Sequence, residues 1–457
     1  MSDEQRTLDP ATRNQQPTRS SAGTAAPAPA GPARWVGGLV AVGLVVTALN
    51  LRPAITSLGA LLKEVSAGLH MSGSVAGVLT SVPPLCFAVF GIAAPRLARR
   101  FGPAAVVCAG MAAILAGLVL RAFAGNTVSF LAASALALVG IALSNVLMPV
   151  IVKKYFPDRI GSMTGLYSMA LAMGTSVAAA ATVPMTEALG GSWRLGLGIW
   201  AALAAVAVLP WLPLIRDRGM TGPSTAGTPT PGTPATGTPA TGTPATGPAE
   251  PSTAAATASA PAAKTPRVAR SRTAWALACF FGLQATGAYI TMGWMPQIFR
   301  DAGVPASTAG VLLAVTMVMG VPLAFVIPGL ATRMRNQGPI VVVLALCGLG
   351  GYTGLYFAPA GGAWAWALLL GISNCAFPLA LTMIGMRSRT GAGVVKLSAF
   401  AQSVGYLISI PGPLLVGVLY QHSGGWGLPI ALMGGLMIPQ MIVGTLAGRD
   451  RTFEDEC

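Results

Sequence analysis

Apolar residues run along this chain in stretches of roughly 20, separated by short clusters of charge, Gly and Pro, and none shows the two-residue alternation of a half-buried strand. A bilayer core about 30 Å thick is crossed by helices of that length. The pattern therefore predicts twelve membrane-spanning helices, near residues 35–62, 73–95, 104–124, 127–152, 160–186, 193–213, 273–298, 307–331, 339–357, 363–386, 393–420 and 426–447. Internal Pro and Gly do not disqualify these runs, because neighbouring helices can satisfy the backbone groups they free. The missing alternation excludes an outer-membrane barrel.

Polar stretches divide the runs into an all-α membrane protein of two six-helix bundles, 35–213 and 273–447. Residues 1–34 are expected to form a disordered cytoplasmic tail, 214–272 a flexible cytoplasmic linker and 448–457 a short cytoplasmic tail. Inside the linker the unit Gly-Thr-Pro-Ala-Thr occurs three times between Gly232 and Thr246. Such a composition buries no apolar surface and behaves as a tether.

Only 9% of the residues are charged, against about 25% in a soluble domain, so a soluble globular fold is excluded. The net charge of +15 would suggest nucleic acid, but the basic residues sort by loop. Arg52, Lys63, Arg121, Arg194 and Arg300 fall towards one side of the predicted bundle, and the other 23 of the 28 Lys and Arg towards the side of both termini. The positive-inside rule then places both termini and the linker in the cytoplasm, and the charge needs no nucleic-acid partner. The six cysteines lack metal-ligand spacing, and no enzyme signature is present. The chain is thus expected to be no enzyme and to need no cofactor or metal.

The halves share sequence. Ser74-Val-Ala-Gly-Val-Leu79 matches Ser307-Thr-Ala-Gly-Val-Leu312, and Pro95-Arg-Leu-Ala-Arg-Arg100 matches Pro328-Gly-Leu-Ala-Thr-Arg333, both at the same offset. Ser144-Asn145 and Pro149 are echoed by Ser373-Asn374 and Pro378. A parallel repeat of this kind puts a transport pathway between the halves near the midplane.

Arg52 lies close to the centre of the first run, where a guanidinium costs at least about 2.5 kcal/mol to insert and so faces a cavity or a partner. Its planar fork suits a carboxylate or another small oxyanion, and Pro53 can open the helix beside it. The competing reading is a structural arginine bonded to carbonyls that Pro53 frees. None of the thirteen acidic residues falls at the centre of a span, which disfavours organic cations and a protein-borne proton relay. Asn145 and Asn374 each precede a proline by four residues, so each amide can hold solute or a freed carbonyl. Gln402 and Tyr406 share a face of span 11, and Gln284 lies with Gly287, Thr291 and Trp294 on span 7. These are read either as walls of a site or as interhelical bonds. Lys63, Glu64, Arg121 and His422, near span ends, are read as interfacial.

Several of these runs carry a family resemblance. The Pro95–Gly102 loop, with its Arg-Phe-Gly end, resembles the signature between helices 2 and 3 of the major facilitator superfamily, with Arg99 at the position that is acidic there. Asn50-Leu-Arg-Pro-Ala54, Leu143-Ser-Asn-Val-Leu-Met-Pro149, Phe156-Pro-Asp-Arg159 with Met163-Thr-Gly-Leu-Tyr167, and Ala401-Gln-Ser-Val-Gly-Tyr406 are similar to the cyanate and 2-nitroimidazole transporter (CynX/NimT) family of that superfamily. The resemblance covers about residues 35–447. It implies the major facilitator fold and a secondary or facilitative transporter of a small polar or anionic solute, and it adds Tyr167 to the candidates.

The expected site is Arg52, Asn145, Tyr167, Gln284, Asn374, Gln402 and Tyr406, with Arg96, Arg99 and Arg100 as a cytoplasmic gate loop. Small-molecule solute and membrane lipid are the expected partners, and the chain is expected to act as a monomer in the inner (plasma) membrane. An efflux transporter of drug-like molecules and a non-transporting receptor are the alternatives.

Overall fold

The computed structural model describes residues 34–216 and 268–456. Residues 1–33 and nearly all of the expected linker, with its repeat, lie outside the described residues. Twelve helices among the described residues are long and apolar enough to cross a membrane. They are α1 (Val36–Ala60), α2 (Gly73–Phe101), α3 (Pro103–Ala122), α4 (Thr127–Tyr155), α5 (Ser162–Ala188), α6 (Trp193–Trp211), α7 (Arg272–Asp301), α8 (Ala306–Ala324), α9 (Gly338–Phe357), α10 (Ala363–Met386), α11 (Gly393–Ser423) and α12 (Gly427–Ala447). No strand occurs among the described residues.

Prolines set the discontinuities that matter for the site. Pro53 has no N–H for the Leu49 carbonyl, so α1 stops at Asn50 and restarts at Pro53, where a proline suits a first helical position. Arg52 sits in the gap, its carbonyl taken by the Ile55 and Thr56 amides and the Thr56 hydroxyl. Likewise α10 breaks at Cys375, three residues before Pro378, and the Asn374 carbonyl loses its helical donor. These breaks put irregular backbone at the middle of the bundle.

Within the N-terminal half α3 packs on α4 and α5 on α1; within the C-terminal half α7 packs on α11 and α12, and α9 on α10. The halves meet along α2 with α11, α5 with α8, and α1 with α7. Exchanging the halves turns the α2–α11 contact into the α8–α5 contact, which is what a two-fold repeat requires.

The end remote from both termini is sealed across the halves. Lys63 pairs with Asp301 at 3.0 Å, and Glu64 receives a two-pronged contact from Arg300, with Nη1 to Oε2 at 3.0 Å. The second Asp301 oxygen accepts from the Tyr420 hydroxyl at 3.1 Å and the Trp426 indole at 3.0 Å. Gln421 accepts from the Ser74 amide at 2.9 Å, and Trp294 donates to Thr80 at 3.2 Å. Glycines permit this approach. A Cβ on Gly59 would lie 1.9 Å from the Met292 carbonyl oxygen, and one on Gly417 2.3 Å from that of Gly73.

Two sequence expectations change here. Lys63 and Glu64 are not lipid-interface anchors but half of this seal, because α7 extends to Asp301 and presents charges of complementary order. Arg121 is not interfacial either: it is 0% exposed, with Nε on the Ser134 hydroxyl at 3.0 Å, Nη1 on the Ala54 carbonyl at 2.9 Å and its guanidinium over the Phe130 ring. The last turn of α3 is covered by α4 and α1, so the side chain folds inward where a span-end position suggested outward.

At the end bearing the termini, the final residues are docked. A 3-10 turn, Phe453–Glu456, buries Phe453, and Glu456 takes the Thr273 amide at 2.9 Å and the Ser271 hydroxyl at 2.7 Å, capping the first turn of α7. Burial alone would push the Glu456 carboxyl up, but these hydrogen bonds hold it below the ordinary carboxylate value. Buried Arg387 draws the chain in by donating to the Ala447 and Gly448 carbonyls at 3.1 and 2.8 Å. An expectation based on polarity saw only a tail in 448–457, because the donors that receive it come from distant loops.

Candidate functional site

The break in α1 leaves Arg52 half-buried and directed at the other half of the molecule. Its guanidinium lies close enough to Tyr289 of α7 and Tyr406 of α11 to interact with both electrostatically. No carboxylate pairs with it among the described residues. A partly desolvated cation beside neutral groups retains strong demand for an anion.

Aromatic rings wall this group. Tyr406 stacks on Phe87 of α2, centroids 5.1 Å apart and 23° between planes, and meets Phe281 of α7 edge-on at 5.2 Å. Phe281 in turn lies 5.6 Å from Phe377 of α10, and Tyr289 lies 6.4 Å from Phe87. Phe87 belongs to the N-terminal half and the other rings to the C-terminal half, so the wall is divided by the same interface as the arginine and its tyrosines.

The other candidates separate from it. Gln284, 3% exposed, gives its amide nitrogen to the Asn374 carbonyl at 3.0 Å and side-chain oxygen at 2.9 Å, and its own oxygen accepts from Gln440 of α12 at 3.1 Å. The Asn374 carbonyl is the group that Pro378 freed. This network lies wholly within the C-terminal half, and both N–H groups of the Gln284 amide are spent in it. Asn374 keeps its own amide nitrogen unspent and is only half-buried. Gln402 donates to Ser398 one turn away at 2.7 Å and keeps its oxygen. Asn145 is half-buried and takes no hydrogen-bond partner among the described residues. Tyr167 interacts with its neighbour Ser168, and no hydrogen bond among the described residues joins it to Arg52. Trp294, read with Gln284 as a site wall or an interhelical bond, is buried in the seal.

Arg96, Arg99 and Arg100 are exposed, and no hydrogen bond or ion pair among the described residues joins them to the other half; Arg100 lies over the adjacent Phe101 ring. Every hydrogen bond or ion pair described between the halves lies at or beyond Arg52, towards the sealed end.

Sequence reasoning missed Tyr289, Phe87 and Phe281. Choosing the Gln284 face of α7 left out Tyr289, which at five residues on lies about 140° further round the helix. A phenol in the middle of a span needs a polar partner, and Arg52, a charge near the middle of span 1, is a candidate for it.

Comparison with known proteins accords with this architecture. The Major Facilitator Superfamily model matches residues 40–409. The uncharacterized transporter YycB of Bacillus subtilis is 33% identical over 420 residues, covering 91% of this chain and 94% of that one. The 2-nitroimidazole transporter and the cyanate transport protein CynX of Escherichia coli are 29% and 27% identical, covering 90% and 86% of this chain and 95% and 94% of their own lengths. Among solved structures, the nucleoside transporter NupG aligns with a TM-score of 0.66 at 12% identity over 90% of this chain and 98% of its own, which bears on fold alone. Twelve apolar helices in two repeated halves, an interface between them lined by an arginine and aromatic rings, and these matches over most of its length make the chain a member of the Major Facilitator Superfamily, a multi-pass membrane transporter of solute and not an enzyme.

Proposed function

We propose that the chain moves a small, flat monoanion, or a polar heterocycle of similar shape, across the cell's inner membrane by alternating access. Arg52 is the charge anchor and Phe87, Phe281, Tyr289 and Tyr406 are the walls. The observation that carries this reading is the placement of Arg52. A cation from one half meets two tyrosines of the other, with no carboxylate paired to it among the described residues. A small anion supplies the missing charge, and the rings stack on a planar solute. The names of the Escherichia coli relatives, a cyanate and a 2-nitroimidazole transporter, fall in this chemical range.

The excess of Lys and Arg on the side of the termini supports a cytoplasmic location for both. The sealed end is then external, and the conformation described is inward-facing. Asn145, Asn374 and Gln402, half-buried with unspent amide groups, complete the polar lining on the open side. Tyr167 is retained as a lining residue of α5, and Gln284 acts by fixing Asn374. Arg96, Arg99 and Arg100 meet the other half when the inner end closes, and lie near anionic lipid in the meantime. The chain acts as a monomer.

Flux in vesicles tests the reading. Purified protein in proteoliposomes is expected to give saturable uptake of labelled cyanate, benzoate or 2-nitroimidazole, and none of tetraethylammonium. Transport of the organic cation with no anion or heterocycle flux would overturn it.

A further inference from the structure

Arg121 is a second arginine without a carboxylate, and the site described above does not use it. It is 0% exposed, and two of its three guanidinium nitrogens are held: Nε by the Ser134 hydroxyl and Nη1 by the Ala54 carbonyl. The third, Nη2, is buried and has no hydrogen-bond partner among the described residues. A buried guanidinium nitrogen with no protein acceptor is costly unless another group supplies one.

Arg121 also lines a cavity of about 10 Å³, room for about one water. Ile55 and Leu58 of α1, Thr80 of α2 and Leu138 of α4 form its N-terminal wall, and Tyr289 and Gly293 of α7 close it from the other half. Tyr289 is the residue that reaches Arg52. The two arginines therefore flank one short stretch of α1: Arg52 precedes Pro53, and Arg121 bonds the carbonyl of the next residue, Ala54. Both present donors towards α7. Arg52 meets the phenol itself; Arg121 is capped by the part of α7 that must withdraw when the sealed end opens.

We infer that Arg121 is a second anion-binding station, used when α7 draws away from the N-terminal half, where Nη2 takes one acceptor atom of the same small monoanion that Arg52 holds deeper in the bundle. This inference rests on the anion reading of the Arg52 site and assigns it an outer antechamber. The Phe130 ring under the guanidinium and the Ser134 and Ala54 bonds fix the plane of the donor, so that little ordering is needed when the anion arrives. One free nitrogen without a neighbouring cation suits a single carboxylate oxygen or a cyanate end, and not a dianion.

The test is anion-dependent melting of the purified full-length protein in detergent, titrated with sodium benzoate and with sodium cyanate against sodium gluconate at equal ionic strength. In wild type the melting temperature is expected to rise with benzoate and cyanate. Arg121→Gln should keep only part of that rise, Arg52→Gln another part, and the double variant none. A lower starting temperature in Arg121→Gln with the full wild-type rise would overturn the second station while leaving the Arg52 reading intact. Absence of any rise in wild type would overturn both. If Arg121→Gln does not fold, the wild type decides. Phenylglyoxal labelling followed by peptide mass spectrometry should mark Arg121 slowly, and saturating benzoate should slow it several-fold further. Labelling of Arg121 at an unchanged rate while Arg52 is protected, or no labelling of Arg121 at all, would overturn the inference.

Discussion

Two polar clusters lie at the middle of the bundle, and they differ in whether their contacts stay within one half. Gln284, Asn374 and Gln440 bond one another within the C-terminal half and absorb the carbonyl that Pro378 frees. Arg52, Tyr289 and Tyr406 join one half to the other and leave a positive charge unpaired. The first cluster holds a bundle together and should move as one body. On the proposed mechanism the second comes apart each time the halves rock, which would make its groups available to a solute in the interval. A polar residue in a span is therefore a solute ligand or a brace according to where its partners sit, and residue type alone does not distinguish them.

That contrast can be broken by substitution. Tyr289→Phe removes the phenol that orients Arg52; a hydrogen bond to a charged group is worth about 1.5 kcal/mol, so apparent affinity for the transported anion should fall about tenfold, with little change in melting temperature. Equal affinity in concentration-dependent uptake would remove Tyr289 from the site. Gln284→Ala should do the reverse. It strands the Asn374 carbonyl at a cost of about 1 to 3 kcal/mol, lowering the melting temperature while half-saturation of uptake stays within about twofold, and a large loss of affinity with normal melting would place Gln284 in the solute site.

Smaller effects are expected further from the clusters. Glu64→Gln leaves Arg300 without its acid partner. Part-exposed pairs are worth about 0.2 to 1 kcal/mol, so the sealed conformation should lose a few-fold in population. Spin labels at Ala67 and His422 would show a longer distance component growing, and an unchanged distribution would show that the aromatic and glycine contacts suffice. Deleting residues 222–262 should change nothing measurable in transport, because the remaining segment, about 3.3 Å per residue when extended, still spans the two bundles. Loss of activity in a normally inserted deletion variant would give the linker a docking role.

How far the sequence carried follows from the same contrast. The helices were legible because a bilayer imposes length and apolarity on every span, and the repeat fixed the two halves. Arg52 was legible because an isolated charge beside a proline has few innocent explanations in a membrane. Its partners were not: Tyr289, Phe87 and Phe281 look like ordinary span residues until the halves are brought together. Gln284 and Asn374 were visible as polar, but that they meet one another depends on how α7 packs against α10. Arg121 was misread because depth along α3 suggests an interface, whereas burial depends on α4 and α1 covering that turn. The docked residues 453–456 were hidden for a related reason, their donors lying at Ser271, Thr273, Ser388 and Arg389.

Uptake by Arg52 variants in proteoliposomes, at matched amounts of folded protein, tests the account most directly. Arg52→Ala should abolish saturable flux of the anion that wild type carries, with melting close to wild type. Arg52→Lys should restore little of it, because an ammonium keeps the charge but lacks the planar fork of donors that meets an oxyanion and the Tyr289 hydroxyl together. Wild-type flux in Arg52→Ala would contradict the account and return Arg52 to a structural role at the break in α1.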